Sequence, residues 1–183
     1  NLPTVPSIYQ GLFFDNSLFE KNIQIPGHNY SLNPYDARNG ALVVNFNTVY
    51  LRVGKNGVIS SAEKQTPLTP LAKHLGKKLP SGIHRISIPP EYGFNYAAEL
   101  LQTIFLKHGL SFKNKQLSLR KISSTEKLVY KHFNNLNLQD VISGMMLYSN
   151  NFTANQLLLT IGMERFEPPA SLKKGRLAVQ EYL

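Results

Sequence analysis

The hydrophobic pattern changes period along the chain, and that change limits the folds open to it. Up to about residue 90 the patterned stretches are short, β-branched and aromatic, whereas apolar positions recur at helical spacing over about 96 to 108 and again beyond about residue 137. The pattern is that of an α+β fold, strands first and helices after. Ala41 to Val53, ALVVNFNTVYLRV, alternates in part, and Gly54-Lys55-Asn56-Gly57 supplies turn residues before Val58-Ile59-Ser60, which predicts a β-hairpin. Pro67, Pro70 and Pro80 predict irregular chain over residues 65 to 82, and Ile83 to Ile88 reads as a further strand stopped by Pro89-Pro90. Asn1 to Gly40, rich in Pro, Asn, Gly and Tyr and without period, reads as an ordered arm lying on other structure.

In the second half, Asn95 is the expected N-cap of a helix over about 96 to 108 that ends at Gly109. Gln116 to Ile122 is a possible short strand by composition. Helices are then expected over about 138 to 148, 153 to 161 and 172 to 183, with Asn137 and Ser171 as caps and Gly162 as a stop.

Twenty Lys and Arg against eleven Asp and Glu give a net charge of +9, which suits a polyanion, an anionic polymer or a membrane surface. The excess is dispersed, with its densest clusters at Lys73 to Lys78, Lys113 to Lys121 and Lys173 to Arg176, and each reads as a solvated face. There is no basic and aromatic face of the kind nucleic-acid binding needs, and no nucleic acid is expected as a partner. The absence of cysteine removes thiolate metal sites, a Cys nucleophile and disulfides. His28, His74, His84, His108 and His132 lack metal-ligand spacing, acidic pairs are missing, and no Gly-rich phosphate loop occurs, so no metal or cofactor is expected. Beginning at Asn1 and carrying no apolar leader or membrane-length run, the chain reads as a mature or excised soluble piece.

Ser149-Asn150-Asn151 interrupts the helical pattern between Met145 and Gly162. One reading is a turn between two helices in which Asn151 or Thr153 caps the second. Another is an S-x-N element, found in penicillin-recognising serine enzymes together with S-x-x-K and K-T-G. The surroundings carry more weight than the three residues. Ile25-Pro26-Gly27-His28, the VNFN-containing strand above, NYAAELLQTIFLKHGL over 95 to 110, MMLYSNNFTANQLLLTIG over 145 to 162 and ERFEPPASLKKGRLAVQEYL over 164 to 183 follow one another in order. In that order and spacing they resemble the middle of the class C low-molecular-mass penicillin-binding proteins, the D-alanyl-D-alanine carboxypeptidase/endopeptidase family.

The resemblance implies that residues 1 to 133 are a mostly β insertion-domain segment with one helix, and that 134 to 183 are a helical piece of the transpeptidase-like catalytic domain. It implies Ser149 and Asn151 as catalytic positions: Ser149 passes a proton to or from the departing amine, and Asn151 donates its amide to the substrate and holds the neighbouring lysine. It further implies peptidoglycan peptides and β-lactams as ligands and a periplasmic or otherwise extracytoplasmic location. Where the family commonly has an acidic residue in the helix after S-x-N, this chain has Asn155.

The partners of S-x-N are not found. K-T-G is absent, and the family's S-x-x-K lies well upstream of S-x-N. S-x-x-K is met at Ser61-Ala62-Glu63-Lys64, Ser124-Thr125-Glu126-Lys127 and Ser171-Leu172-Lys173-Lys174, but fourteen Ser and fourteen Lys in 183 positions predict about one copy by chance. Pro67 follows the first too closely for a buried helix, the second is too near Ser149, and the third lies after it. Loops or helix caps are expected at all three. The rival to an enzyme fragment is a basic noncatalytic module that binds cell-wall polymer or nucleic acid.

Overall fold

A computed structural model describes residues 8–29 and 31–183. Part of the arm, residues 1–7 and Tyr30, therefore lies outside the described residues. The fold is α+β. Its first half is built on an antiparallel three-stranded sheet in the order β4-β3-β5: β3 (Thr48–Val53) lies between β4 (Ile59–Ser61) and β5 (Gly82–Ser87). The predicted hairpin forms between β3 and β4. Gly57 takes φ 76°, the Gly54 N–H donates to the Val58 carbonyl at 2.8 Å, and Asn56 Oδ1 accepts from the Val58 N–H at 3.1 Å. Alternation along the central strand puts Val49 and Leu51 on one face, where they pack with Ile86, Ile88 and Tyr96.

The other side of that core is a helix where irregular chain was expected. α1 (Pro70–Gly76) starts on Pro70, whose missing N–H costs nothing at the first helical position, and Thr69 Oγ1 accepts from the Ala72 N–H at 3.1 Å. The Glu99 carboxylate accepts from the Leu71 N–H at 2.8 Å, so the next helix helps to cap this one. α1 buries Leu71, Ala72 and Leu75 against β3.

α2 (Gly93–Lys107) begins earlier than its expected cap. The Pro90–Tyr92 3₁₀ turn runs directly into it, so Asn95 sits inside the first turn. Its end is as expected: Gly109 takes φ 84°, its N–H donates to Leu106 and that of Leu110 to Phe105, which closes the terminal carbonyls in a Schellman arrangement. The arm is partly ordered by parallel pairing with the chain beyond α2. β1 (Ile8–Tyr9) pairs with β6 (Ser111–Phe112), and β2 (Phe13–Phe14) with β7 (Ser118–Leu119), all that forms of the strand expected at 116 to 122.

Residues 120–137 form no regular element and are exposed throughout. α3 (Leu138–Leu147) follows, started by a reciprocal capping box between Asn137 and Asp140. α4 (Asn151–Phe166) and α5 (Leu172–Tyr182) pack on each other, and Ser171 caps α5 as expected, accepting from the Lys174 N–H at 3.2 Å. Gly162 does not stop α4. It lies buried within the helix against Gly175 of α5, where a Cβ would come within 2.3 Å of the Gly175 nitrogen. Two glycines let the backbones touch there. The arm reaches this pair too: Phe19 packs with Leu159 and Ala170, and the backbone of Ala170 bonds to Leu18 and Glu20.

Candidate active site

The α3–α4 link is three residues long, and each has a separate task. Tyr148 ends α3, its N–H donating to the Gly144 carbonyl at 3.1 Å. Ser149 takes φ 48°, the left-handed region that non-glycine residues enter at a cost of about 1–2 kcal/mol. Asn150, and neither Asn151 nor Thr153, is the N-cap of α4: its Oδ1 accepts from the Thr153 N–H at 2.9 Å. The capping alternative for Asn151 is thereby corrected, because the residue before it already satisfies the first-turn donor. Asn151 is the first residue of α4.

Neither the Ser149 hydroxyl nor the Asn151 amide makes a hydrogen bond among the described residues, and both residues are exposed. Positions i and i+2 of a continuous helix face different ways. Here the left-handed turn at Ser149 redirects the chain, so that Ser149 and Asn151 line one cleft of about 460 Å³. The two predicted residues are brought together.

The opposite wall of that cleft comes from the first half of the chain. Phe46 stands in an uninterrupted left-handed run, Asn45 (φ 51°), Phe46 (φ 56°) and Asn47 (φ 51°), so that of the strand expected over Ala41 to Val53 only Thr48–Val53 forms. The run turns the Phe46 ring edge-on to Phe152, with centroids 6.1 Å apart. Deeper in the wall Arg85 donates to Glu63 at 2.7 Å and to Thr48 Oγ1 at 3.1 Å, and its guanidinium lies 4.4 Å from the centre of the Tyr50 ring. Sequence patterns do not mark these wall residues, since they converge from strands and turns far apart in the chain.

The copies of S-x-x-K are occupied otherwise. Ser61 Oγ donates to the Glu63 carbonyl in the turn after β4, and Ser124 lies in an exposed turn. Ser171 is a buried cap, and Lys174 Nζ donates to the carbonyls of Glu167 and Pro169. A further copy, Ser118-Leu119-Arg120-Lys121, begins on β7. Asn155, half-buried in α4, supplies no charge beside the cleft. Among the described residues no group of three or more His, Asp or Glu could hold a metal ion, and no helix is long and apolar enough to cross a membrane.

The family model of the D-Ala-D-Ala carboxypeptidase 3 (S13) family matches residues 84–183, more than half of the chain and the whole of the α3–α4 link. The chain belongs to the S13 family. No curated protein matches it. Among solved structures, this S13 chain resembles penicillin binding protein 4 of Haemophilus influenzae with a TM-score of 0.69 at 17% identity. The likeness covers 94% of this chain and 45% of the other, so the S13 chain spans less than half the length of the structure it matches. At that identity the likeness speaks for the fold.

Proposed function

We propose that this S13 chain is the S-x-N-bearing part of a serine D-Ala-D-Ala carboxypeptidase/endopeptidase that acts on peptidoglycan stem peptides outside the cytoplasm and is inhibited by β-lactams. The supporting observation is the convergence of Ser149 and Asn151, both relieved of capping duty, on one cleft. In the complete enzyme a serine outside the S-x-x-K copies of this chain attacks the carbonyl between two D-alanines. The C–N bond breaks, an ester to the enzyme forms, and the terminal D-alanine leaves with a proton relayed through the Ser149 hydroxyl. Water then hydrolyses the ester. Asn151 donates its amide N–H to the acyl part of the substrate and orients the lysine beside the serine. A β-lactam enters by the same route and gives an ester that hydrolyses slowly.

In this reading residues 1–133 belong to an insertion-domain segment and 134–183 to the catalytic domain. It accounts for the apolar surface around the link: Met146, Leu147 and Tyr148 are exposed by 70%, 74% and 78%, and α3 buries no residue. Surface of that kind is covered by other polypeptide in a complete protein.

The test is a pair of neighbouring substitutions in the full-length protein. Asn151→Ala should slow acylation by fluorescent penicillin about 10²-fold or more at unchanged thermal stability. Asn150→Ala should cost about 1 kcal/mol of stability through the lost cap. Equal acylation by wild type and the Asn151 variant sinks the catalytic role, and a wild type that penicillin does not label leaves the chain as a basic polymer-binding module.

A further inference from the structure

Resting on the assignment of S-x-N above, we infer that Asn39 is a positioning residue for this motif: together with Gln156 it clamps the first turn of α4 to the arm and so sets where Ser149 and Asn151 stand. Asn39 is 9% exposed and lies outside the cleft that those two residues line. Its side-chain nitrogen donates twice, to the Phe152 carbonyl at 2.9 Å and to Gln156 Oε1 at 3.0 Å. Gln156 returns a bond from Nε2 to the Gly40 carbonyl at 3.0 Å. Three hydrogen bonds thus join residues 39–40 to the first two turns of α4, one at Phe152 and two at Gln156, across more than 110 positions of sequence.

The arrangement is costly as a mere packing device. Asn39 Oδ1 is buried without a hydrogen-bond partner among the described residues, and a lone buried acceptor costs about 1–3 kcal/mol. What the residue supplies in return is direction. Phe152 follows Asn151 immediately, and its ring is met by Phe46, which lies edge-on to it in the left-handed run at 45–47. The Asn47 amide donates to the Arg38 carbonyl at 2.9 Å, which ties that run to the residue before Asn39. The start of α4 is therefore gripped on its backbone by Asn39, at the end of the arm, and on its Phe152 ring by Phe46, seven residues further on. An amide at 151 must meet its acceptor to within a fraction of an ångström, and a misplacement of about 1 Å costs on the order of 10²-fold in rate.

The test uses acylation of the full-length protein by fluorescent penicillin, with the rate constant separated from non-covalent binding. Asn39→Asp places an acceptor where a donor is needed, facing the Phe152 and Gln156 oxygens. The expected result at neutral pH is a rate constant lowered by about 10-fold to 100-fold with binding nearly unchanged. Because two acceptors and burial disfavour the ionised carboxylate, the introduced carboxyl is protonated on mild acidification and can donate again, so the ratio of variant to wild-type rate should climb as pH falls. Glu20, Lys21, Arg38 and Glu91 line the neighbouring cavity and are present in both proteins, so the ratio of variant to wild type isolates the group introduced at 39. Gln156→Leu should give a smaller loss, about 3-fold to 10-fold, with a ratio that does not depend on pH.

A folded Asn39→Asp variant that acylates at the wild-type rate overturns the inference. So does a deficit that only follows the unfolded fraction and does not recover in acid. If that variant does not fold, Gln156→Leu decides alone, and wild-type acylation by it is equally fatal. Labelled wild type with unaffected variants removes only the role of Asn39; unlabelled wild type removes the S-x-N assignment with it.

Discussion

Replacing Gly162 by alanine adds one methyl group at the closest approach of α4 and α5. The new Cβ would lie 2.3 Å from the Gly175 nitrogen, 2.6 Å from the Lys174 carbonyl carbon and 2.7 Å from the Gly175 Cα. All three are backbone atoms, so no rotamer change relieves the clash and the helices must part by about 1 Å to reach a tolerable separation. Parting them loosens Leu159, which is fully buried, and the Phe19 and Ala170 contacts built on it. Overpacking of this kind costs about 1–3 kcal/mol, and a rigid backbone clash belongs at or above the upper end. The better helix propensity of alanine returns up to about 1 kcal/mol, leaving a net loss of about 2–3 kcal/mol. For a chain of this size each 1 kcal/mol moves the midpoint by roughly 2–4 °C, so thermal unfolding followed by circular dichroism should show a drop of about 4–12 °C. Gly144→Ala is the matched control: it also lies inside a helix, but nothing stands within 4 Å of its added Cβ. It should stabilise by up to about 1 kcal/mol. If both variants melt alike, the helix contact does not have the tightness inferred. Gly175→Ala should behave like Gly162→Ala, and the double variant should lose less than the sum, since helices once parted accommodate both methyls.

Burial, helped by the Arg38 cation, pushes the His28 imidazole below its usual value of 6.5. The unfolded chain then binds the proton more readily than the folded one, so this group's contribution to stability is full above about pH 6.5 and declines as pH falls toward the folded value. His28→Gln should flatten the pH dependence of denaturant midpoints in that window; an unchanged slope assigns it to other groups. The 183-residue chain by itself should take up no penicillin covalently, and mass spectrometry should find Ser61, Ser118, Ser124 and Ser171 unmodified. A stoichiometric adduct on any of them would make that serine the nucleophile and reverse the reading of these copies.

What the sequence determined by itself was local. Asn56-Gly57 specifies its turn, Asn137, Ser171 and Gly109 specify helix ends, and small polar residues at 149–151 specify a break, because in each case the deciding hydrogen bonds join atoms a few residues apart. The pairing of Ser149 with Asn151 was legible through family resemblance, not through period or composition. Tertiary structure decided the rest. Pro70 starts a helix instead of preventing one because β3 offers Leu71, Ala72 and Leu75 a core to enter and Glu99 holds the Leu71 N–H. Gly162 is a contact and not a stop because Gly175 arrives against it from another helix. Asn45, Phe46 and Asn47 leave the strand expected over Ala41 to Val53 for a left-handed run, which Asn tolerates, that meets Phe152 and ties back to Arg38. Asn39 looks like any loop asparagine until α4 comes within reach of its amide. Propensity is a property of neighbours in sequence and is worth tenths of a kcal/mol per residue, whereas these choices are made by partners distant in the chain, whose burial and hydrogen bonds together outweigh it.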